Sequence, residues 1–300
     1  MEWFNALVIN TICIRKDTTF RCRVRPHSGF TLIELAVVLL IVGLVLGGLV
    51  VPLAKQVQAR KISETATASR EIKESLFGFA IMNGRFPCPA TVATNGLENR
   101  RNDNVANGPI DPQIEGCRGG VYSGFVPWAT LGVPEIDAWG NRFFYRVTNE
   151  FTRAKDDATA NDPVNCMSPP PVAPGTDPNS CTLDLTDLGN LTVETRNSGD
   201  KAKRSLSTQV PAVILSFGKN GFGSTNSQNI LQPNPPATNV DENQNLNPAA
   251  VIFMGRNTTE EQSGCSDSVV GQPFCEFDDI VTWVPSSILF SRLLAAGRLP

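Results

Sequence analysis

Ser28-Gly29-Phe30-Thr31-Leu32-Ile33-Glu34 runs directly into Leu35–Leu53, L-A-V-V-L-L-I-V-G-L-V-L-G-G-L-V-V-P-L, nineteen residues without a charged side chain. Five basic residues stand upstream: Arg15, Lys16, Arg21, Arg23 and Arg25. A helix of about 20 residues at 1.5 Å each spans the ~30 Å hydrocarbon core of a bilayer, so the run has the length of a membrane-crossing helix. One carboxylate stands at its mouth. An ionised group in such a segment costs roughly 2.5–3.5 kcal/mol at mid-bilayer and less near an end, so Glu34 should have a partner and a task. A cleaved secretory signal has an apolar core of about 7–15 residues with a small-x-small site close behind it. Here the run is longer, and the one small-x-small candidate, Ala66-Thr67-Ala68, lies well beyond it. A plain signal anchor fits the length but leaves Glu34 and Gly29-Phe30 without a role. The basic residues before the run put the leader in the cytoplasm and export the remainder.

Gly29-Phe30-Thr31-Leu32-Ile33-Glu34 resembles the prepilin cleavage and methylation motif of type IV pilins and type II secretion pseudopilins. The resemblance implies that a membrane-embedded prepilin peptidase cuts after Gly29 and methylates the new amino terminus at Phe30. It also implies that Glu34 neutralises the terminal amine of a neighbouring subunit during assembly. The physics agrees, because removing one partner of a buried ion pair costs about 3–5 kcal/mol. No methionine lies between Met1 and Met82, and a start read at Val24 would give the short leader M-R-P-H-S-G, without Cys13 or Cys22.

The chain carries a formal charge of −3; the leader holds five basic and two acidic residues, leaving the mature part 21 basic against 27 acidic, or −6. Such mild acidity argues against nucleic-acid binding. Beyond the membrane segment roughly 250 residues remain, enough for a substantial core. Six cysteines follow the cleavage point: Cys88, Cys117, Cys166, Cys181, Cys265 and Cys275. An even number in an exported domain argues for disulfides, and six cysteines allow about fifteen pairings. The expected set is sequential, 88–117, 166–181 and 265–275, because each pair brackets a loop rich in Gly, Pro or Asn. A structural zinc site would need CxxC-like spacing or histidines and finds neither.

The organisation read from the sequence is a leader over 1–29, a transmembrane half-helix over 30–53, an amphipathic continuation over 54–83 and an exported head over 84–300. In the continuation Val57, Ile62, Ala66, Ile72, Leu76 and Phe79 fall on one face, and Asn83-Gly84 with Pro87 ends the helix. Pro52 and Gly47-Gly48 are places for a kink. Short apolar runs predict strands at 140–148, 190–195, 210–217, 249–254 and 279–284. A closing amphipathic helix is predicted over 286–296, and 161–181 and 233–248 read as loops. The fold class expected is α+β: a long amino-terminal helix packed on a small antiparallel sheet with disulfide-stapled loops.

Two further patches extend the resemblance. Asp137-Ala138-Trp139-Gly140-Asn141 is similar to the D-x-W-G-N segment of major pseudopilins. Ser216-Phe217-Gly218-Lys219-Asn220-Gly221, with Asp278-Asp279-Ile280-Val281-Thr282-Trp283, resembles their S-x-G-x-x-G loop and D-D-I-x-x-W strand. Major pseudopilins are far shorter, so a minor or specialised subunit is expected. In them a loop before the D-D-I strand binds calcium. The matching residues are Asp278 and Asp279, and the intervening loop offers Asp241, Glu242 and Asn243; the candidate ligand set is Asp241, Asp278 and Asp279. No cofactor is required for packing, and calcium is the one the sequence suggests.

The only histidine, His27, precedes the cleavage point, so triads, H-E-x-x-H metal sites and His-based acid–base catalysis are excluded from the mature chain. Asp156-Asp157 and Glu260-Glu261 read as solvated surface, Trp128 and Trp139 as core where the helix meets the sheet, and Trp283 as a mid-strand residue. No enzyme is expected. The function expected is a pilin or pseudopilin subunit that inserts singly in the bacterial inner membrane. Its amino terminus would be cytoplasmic, and its head periplasmic or in an extracellular filament. Its partners would be the prepilin peptidase, other pilin subunits, the inner-membrane assembly platform and the lipid bilayer. The alternatives are a pilus-tip adhesin or cargo- or DNA-binding minor pilin, and more weakly a membrane-anchored periplasmic enzyme.

Overall fold

The computed structural model describes residues 11–16, 19–24, 30–100, 117–152, 189–247 and 250–298, with backbone alone for 11–16, 19–24 and 46–52. These fall into two compact units, Met1–Val57 and Gln58–Pro300. In the first, β1 (Thr11–Lys16) and β2 (Thr19–Val24) form an antiparallel hairpin in which Cys13 lies opposite Cys22. That hairpin falls inside the stretch read as leader, where the sequence predicts no strand. The helix α1 (Leu32–Asn83) begins in this unit and ends in the second. Thr31 caps it, accepting a hydrogen bond from the Glu34 amide on its side-chain oxygen at 3.3 Å and from the Leu35 amide on its carbonyl at 3.1 Å. Among the described residues no helix is long and apolar enough to cross a membrane, residues 46–52 in the second half of the apolar run being described by backbone only.

In the second unit the strands and short helices follow in order: β3 (Ser123–Phe125), α2 (Trp128–Leu131), β4 (Phe144–Val147), β5 (Leu191–Arg196), β6 (Lys203–Val210) and β7 (Ala212–Ser216). Then come α3 (Val240–Asn245), β8 (Ile252–Met254), β9 (Ile280–Val284) and α4 (Ser286–Ala295). Four strands make an antiparallel sheet in the order β3-β4-β7-β9. Alternation along these strands sends Tyr145, Val147, Ala212, Ile214 and Val284 to one face, where α1 covers them with Ile72, Leu76, Phe77 and Ala80. Leu289, Phe290 and Leu293 of α4 close the same cluster. The opposite face, with Val213, Val281 and Trp283, packs on Leu191, Val193 and Phe253. Those three belong to a second sheet, β6-β5-β8, in which β5 pairs antiparallel with β6 and parallel with β8.

Several expectations change. The head holds two sheets rather than one, and the second is mixed, because the chain between β5 and β8 returns through β6, β7 and α3. The buried stripe of α1 is Thr65, Ser69, Ile72, Leu76 and Ala80, while Val57 is half exposed. Thr65 is buried because its hydroxyl accepts the Ala138 amide at 3.2 Å. The segment read as a loop over 233–248 contains α3. Strand β6 escapes the sequence reading because polar residues alternate with nothing apolar except Leu206 and Val210, the pattern of an exposed edge. Cys88–Cys117 and Cys265–Cys275 are disulfides; Cys166 and Cys181 lie outside the described residues. Trp128 packs against the helix–sheet cluster and Trp283 against the inter-sheet one, whereas Trp139 is half-buried and belongs to neither.

Candidate functional sites: the amino-terminal segment and a buried acid cluster

Every described side chain from Phe30 to Val45 is exposed, Phe30 at 83% and Leu44 at 70%. Within that stretch Glu34 is the one charged residue. A helix apolar on every side is stable only inside a core or a membrane, so this surface calls for cover the chain itself does not supply among the described residues. Gly29 lies outside the described residues, and Phe30 stands just before the capped first turn.

In the head, the three segments that make up the two patches singled out in the sequence meet in space. Asp137 is buried and accepts hydrogen bonds from the Ser216 hydroxyl at 2.7 Å and from the amides of Trp139 and Asn141 at 2.9 and 3.0 Å. Burial pushes its carboxyl above the usual range, against the pull of those donors. Asn141 donates to the Gly218 carbonyl at 3.4 Å, and the Asn220 amide donates to Asp278 Oδ2 at 2.8 Å. The turn leading into β4, the loop after β7 and the entry to β9 are thus one hydrogen-bonded unit.

At its centre Glu242, Asp278 and Asp279 each bring one carboxylate oxygen within 4.8 Å of the others, and all three side chains are buried. Glu242 accepts from Asn220 Nδ2 (3.0 Å), Asn239 Nδ2 (2.8 Å) and the Asp278 amide (3.1 Å). Asp279 accepts from Asn245 Nδ2 at 2.7 Å. Asp278 Oδ1 is buried and has no hydrogen-bond partner among the described residues. Gly218, at φ 60°, makes room for it: a Cβ there would collide with that oxygen. Burial, then the neighbouring carboxylates, raises Glu242 to about 7 and Asp278 to about 6, and pushes Asp279 well above the ordinary carboxyl range.

The set fits a hard cation. Oxygen ligands at 2.3–2.6 Å from one ion stand at most about 5 Å apart, all the donors are carboxylates, and one buried oxygen has no other partner. Asp241, grouped with Asp278 and Asp279 from the sequence, goes elsewhere. It pairs with Arg196 at 2.7 Å and Arg256 at 2.9 Å, because its α3 neighbour Glu242 is rotated about 100° around the helix and takes the inward position instead. Asn243 donates to the Asn239 and Pro236 carbonyls at the surface. Reading the segment as a loop hid this phase. The pattern D-E-N-Q-N read as a helix would have separated the two acids.

Residues 24–50 match the family model of the prokaryotic N-terminal methylation motif. That is the type IV pilin and pseudopilin signature. The match spans the amino-terminal segment alone. No curated protein and no solved structure matches the chain. The pilin-type motif implies processing by a prepilin peptidase and assembly with other pilin subunits.

Proposed function

We propose that this chain is a minor or specialised subunit of a type IV pilus or type II secretion pseudopilus. It is cut after Gly29, methylated at Phe30 and held in the inner membrane by residues 30–53, with the head exported. The observation that carries this reading is the methylation motif continued into a helix whose side chains up to Val45 are exposed and uncharged save for Glu34. Apolar helices bundle in the filament core, and Glu34 fixes register by meeting a neighbour's Phe30 amine. The test is detection of the tagged chain in sheared filament fractions from cells with and without the prepilin peptidase. Recovery that depends on the peptidase is expected; a chain confined to membranes in both backgrounds would overturn assembly.

We also propose that Glu242, Asp278 and Asp279 hold calcium in the head. The ion would supply compensating charge for three buried carboxyl groups, and these residues would tie α3 to the start of β9. A second reading, ligand capture by the head, is favoured by a groove of about 830 Å³ with Leu206, Phe274, Val281 and Trp283 in its walls. It predicts that Leu206→Asp, at an exposed position of β6, abolishes capture while filament incorporation is unchanged.

A further inference from the structure

The helix α3 has six residues and no side-chain cap of its own. So short a helix does not hold its shape without outside contacts. The missing acceptor comes from Asp267, which is fully buried inside the loop that Cys265–Cys275 closes. Asp267 Oδ2 accepts the Asp241 amide at 3.2 Å, while Oδ1 accepts from Arg256 Nη2 and from the Cys275 amide, both at 3.1 Å. Arg256 spans the rest: it donates to Asp241 at 2.9 Å, to Thr259 at 2.8 Å and to the Cys275 carbonyl at 3.1 Å. Its guanidinium also lies over the rings of Phe274 and Phe277. On the far side Arg196 holds Asp241 through two nitrogens. Two carboxylates and two guanidiniums, all buried, therefore clamp the first turn of α3 to the disulfide loop, and the next residue along the helix is Glu242.

We infer that the Cys265–Cys275 disulfide is a positioning element for Glu242, so that the cation site forms only when this bridge is closed. The inference rests on the calcium reading proposed above. Opening the bridge frees Asp267 from the amide of Cys275, leaves the Asp241 amide without its acceptor, and removes one carboxylate from Arg256. With the first turn released, Glu242 no longer faces Asp278 and Asp279. The other described bridge, Cys88–Cys117, touches none of these residues by hydrogen bond or ion pair among the described residues and serves as the control.

The test is calcium titration calorimetry on the full chain in detergent micelles, with hydrogen exchange of the peptide spanning α3 in chelator. Wild type should bind one ion. Replacing Cys265 and Cys275 by Ser should weaken binding tenfold or more and speed exchange in α3. The Cys88→Ser, Cys117→Ser pair should stay within twofold of wild type. Asp267→Asn, which keeps the bridge but weakens the clamp, should lose affinity by about threefold or more and carries the test if the double cysteine variant does not fold. Unchanged affinity in the Cys265/Cys275 variant, or in Asp267→Asn, overturns the inference and leaves the calcium site standing. Absence of binding by wild type overturns the calcium reading and the inference with it.

Discussion

Replacing Glu242 by Gln should stabilise the cation-free protein at alkaline pH, although Glu242 accepts three hydrogen bonds. Its folded pKa is raised from 4.5 to about 7, chiefly by burial. An acid raised in this way binds more protons folded than unfolded between those two values, so stability falls as pH rises through the window and the full cost is present above pH ~7. Raising the carboxyl from 4.5 to about 7 corresponds to a cost on the order of 3 kcal/mol. Against this, the Gln amide turns one donor toward Asn239 Nδ2 and forfeits a bond of about 1 kcal/mol. The net gain at about pH 8 is then on the order of 2 kcal/mol, or roughly 4–8 °C in Tm for a unit of this size. Near pH 4 both forms are neutral, and the gain should vanish or reverse. The assay is thermal unfolding by circular dichroism in chelator across that pH range, repeated with excess calcium. Calcium should raise the Tm of wild type and leave that of the Glu242→Gln variant nearly unmoved. A variant less stable than wild type at about pH 8 in chelator would mean that the buried Glu242 carboxylate carries no net cost.

Three other outcomes follow from the same geometry. Ile214→Ala removes a fully buried side chain from the layer between α1 and the four-stranded sheet and should cost about 2–5 kcal/mol, read as a lowered urea midpoint at unchanged slope. Asp137→Ala strands the buried Ser216 hydroxyl and the amides of Trp139 and Asn141, and should cost at least ~2 kcal/mol in the same assay. Glu34→Ala should be cleaved and methylated at the normal rate yet enter filaments poorly, a defect of about 3–5 kcal/mol if the pair is buried; normal incorporation in a shear assay would remove the pairing role.

The elements built on strong local patterns were legible. The apolar run, the stop at Asn83-Gly84, the strands at Phe144–Val147, Ala212–Ser216 and Ile280–Val284, and the closing helix all fall within the predicted segments. What escaped was set by tertiary contacts. Thr65 and Ser69 lie on the buried face of α1, which hydrophobicity alone does not show. The edge strand β6 carries polar residues because its outer face meets water, and α3 is too short for a periodic signal. The acid pair Asp278-Asp279 was visible as a candidate site, but its third member depended on the phase of α3: one residue of rotation exchanges Asp241, held by two arginines, for Glu242. The clamp on that helix comes from Asp267, 26 positions away, and no local pattern couples residues at that distance.

The filament reading proposed for this chain requires processing as a prepilin at Gly29-Phe30. Intact mass and amino-terminal sequencing of the protein from membranes, in cells with and without the prepilin peptidase, test it most directly. A mature chain beginning at N-methylated Phe30 is expected only where the peptidase is present. A chain that keeps its leader in both backgrounds would contradict it and reduce residues 30–53 to a plain anchor.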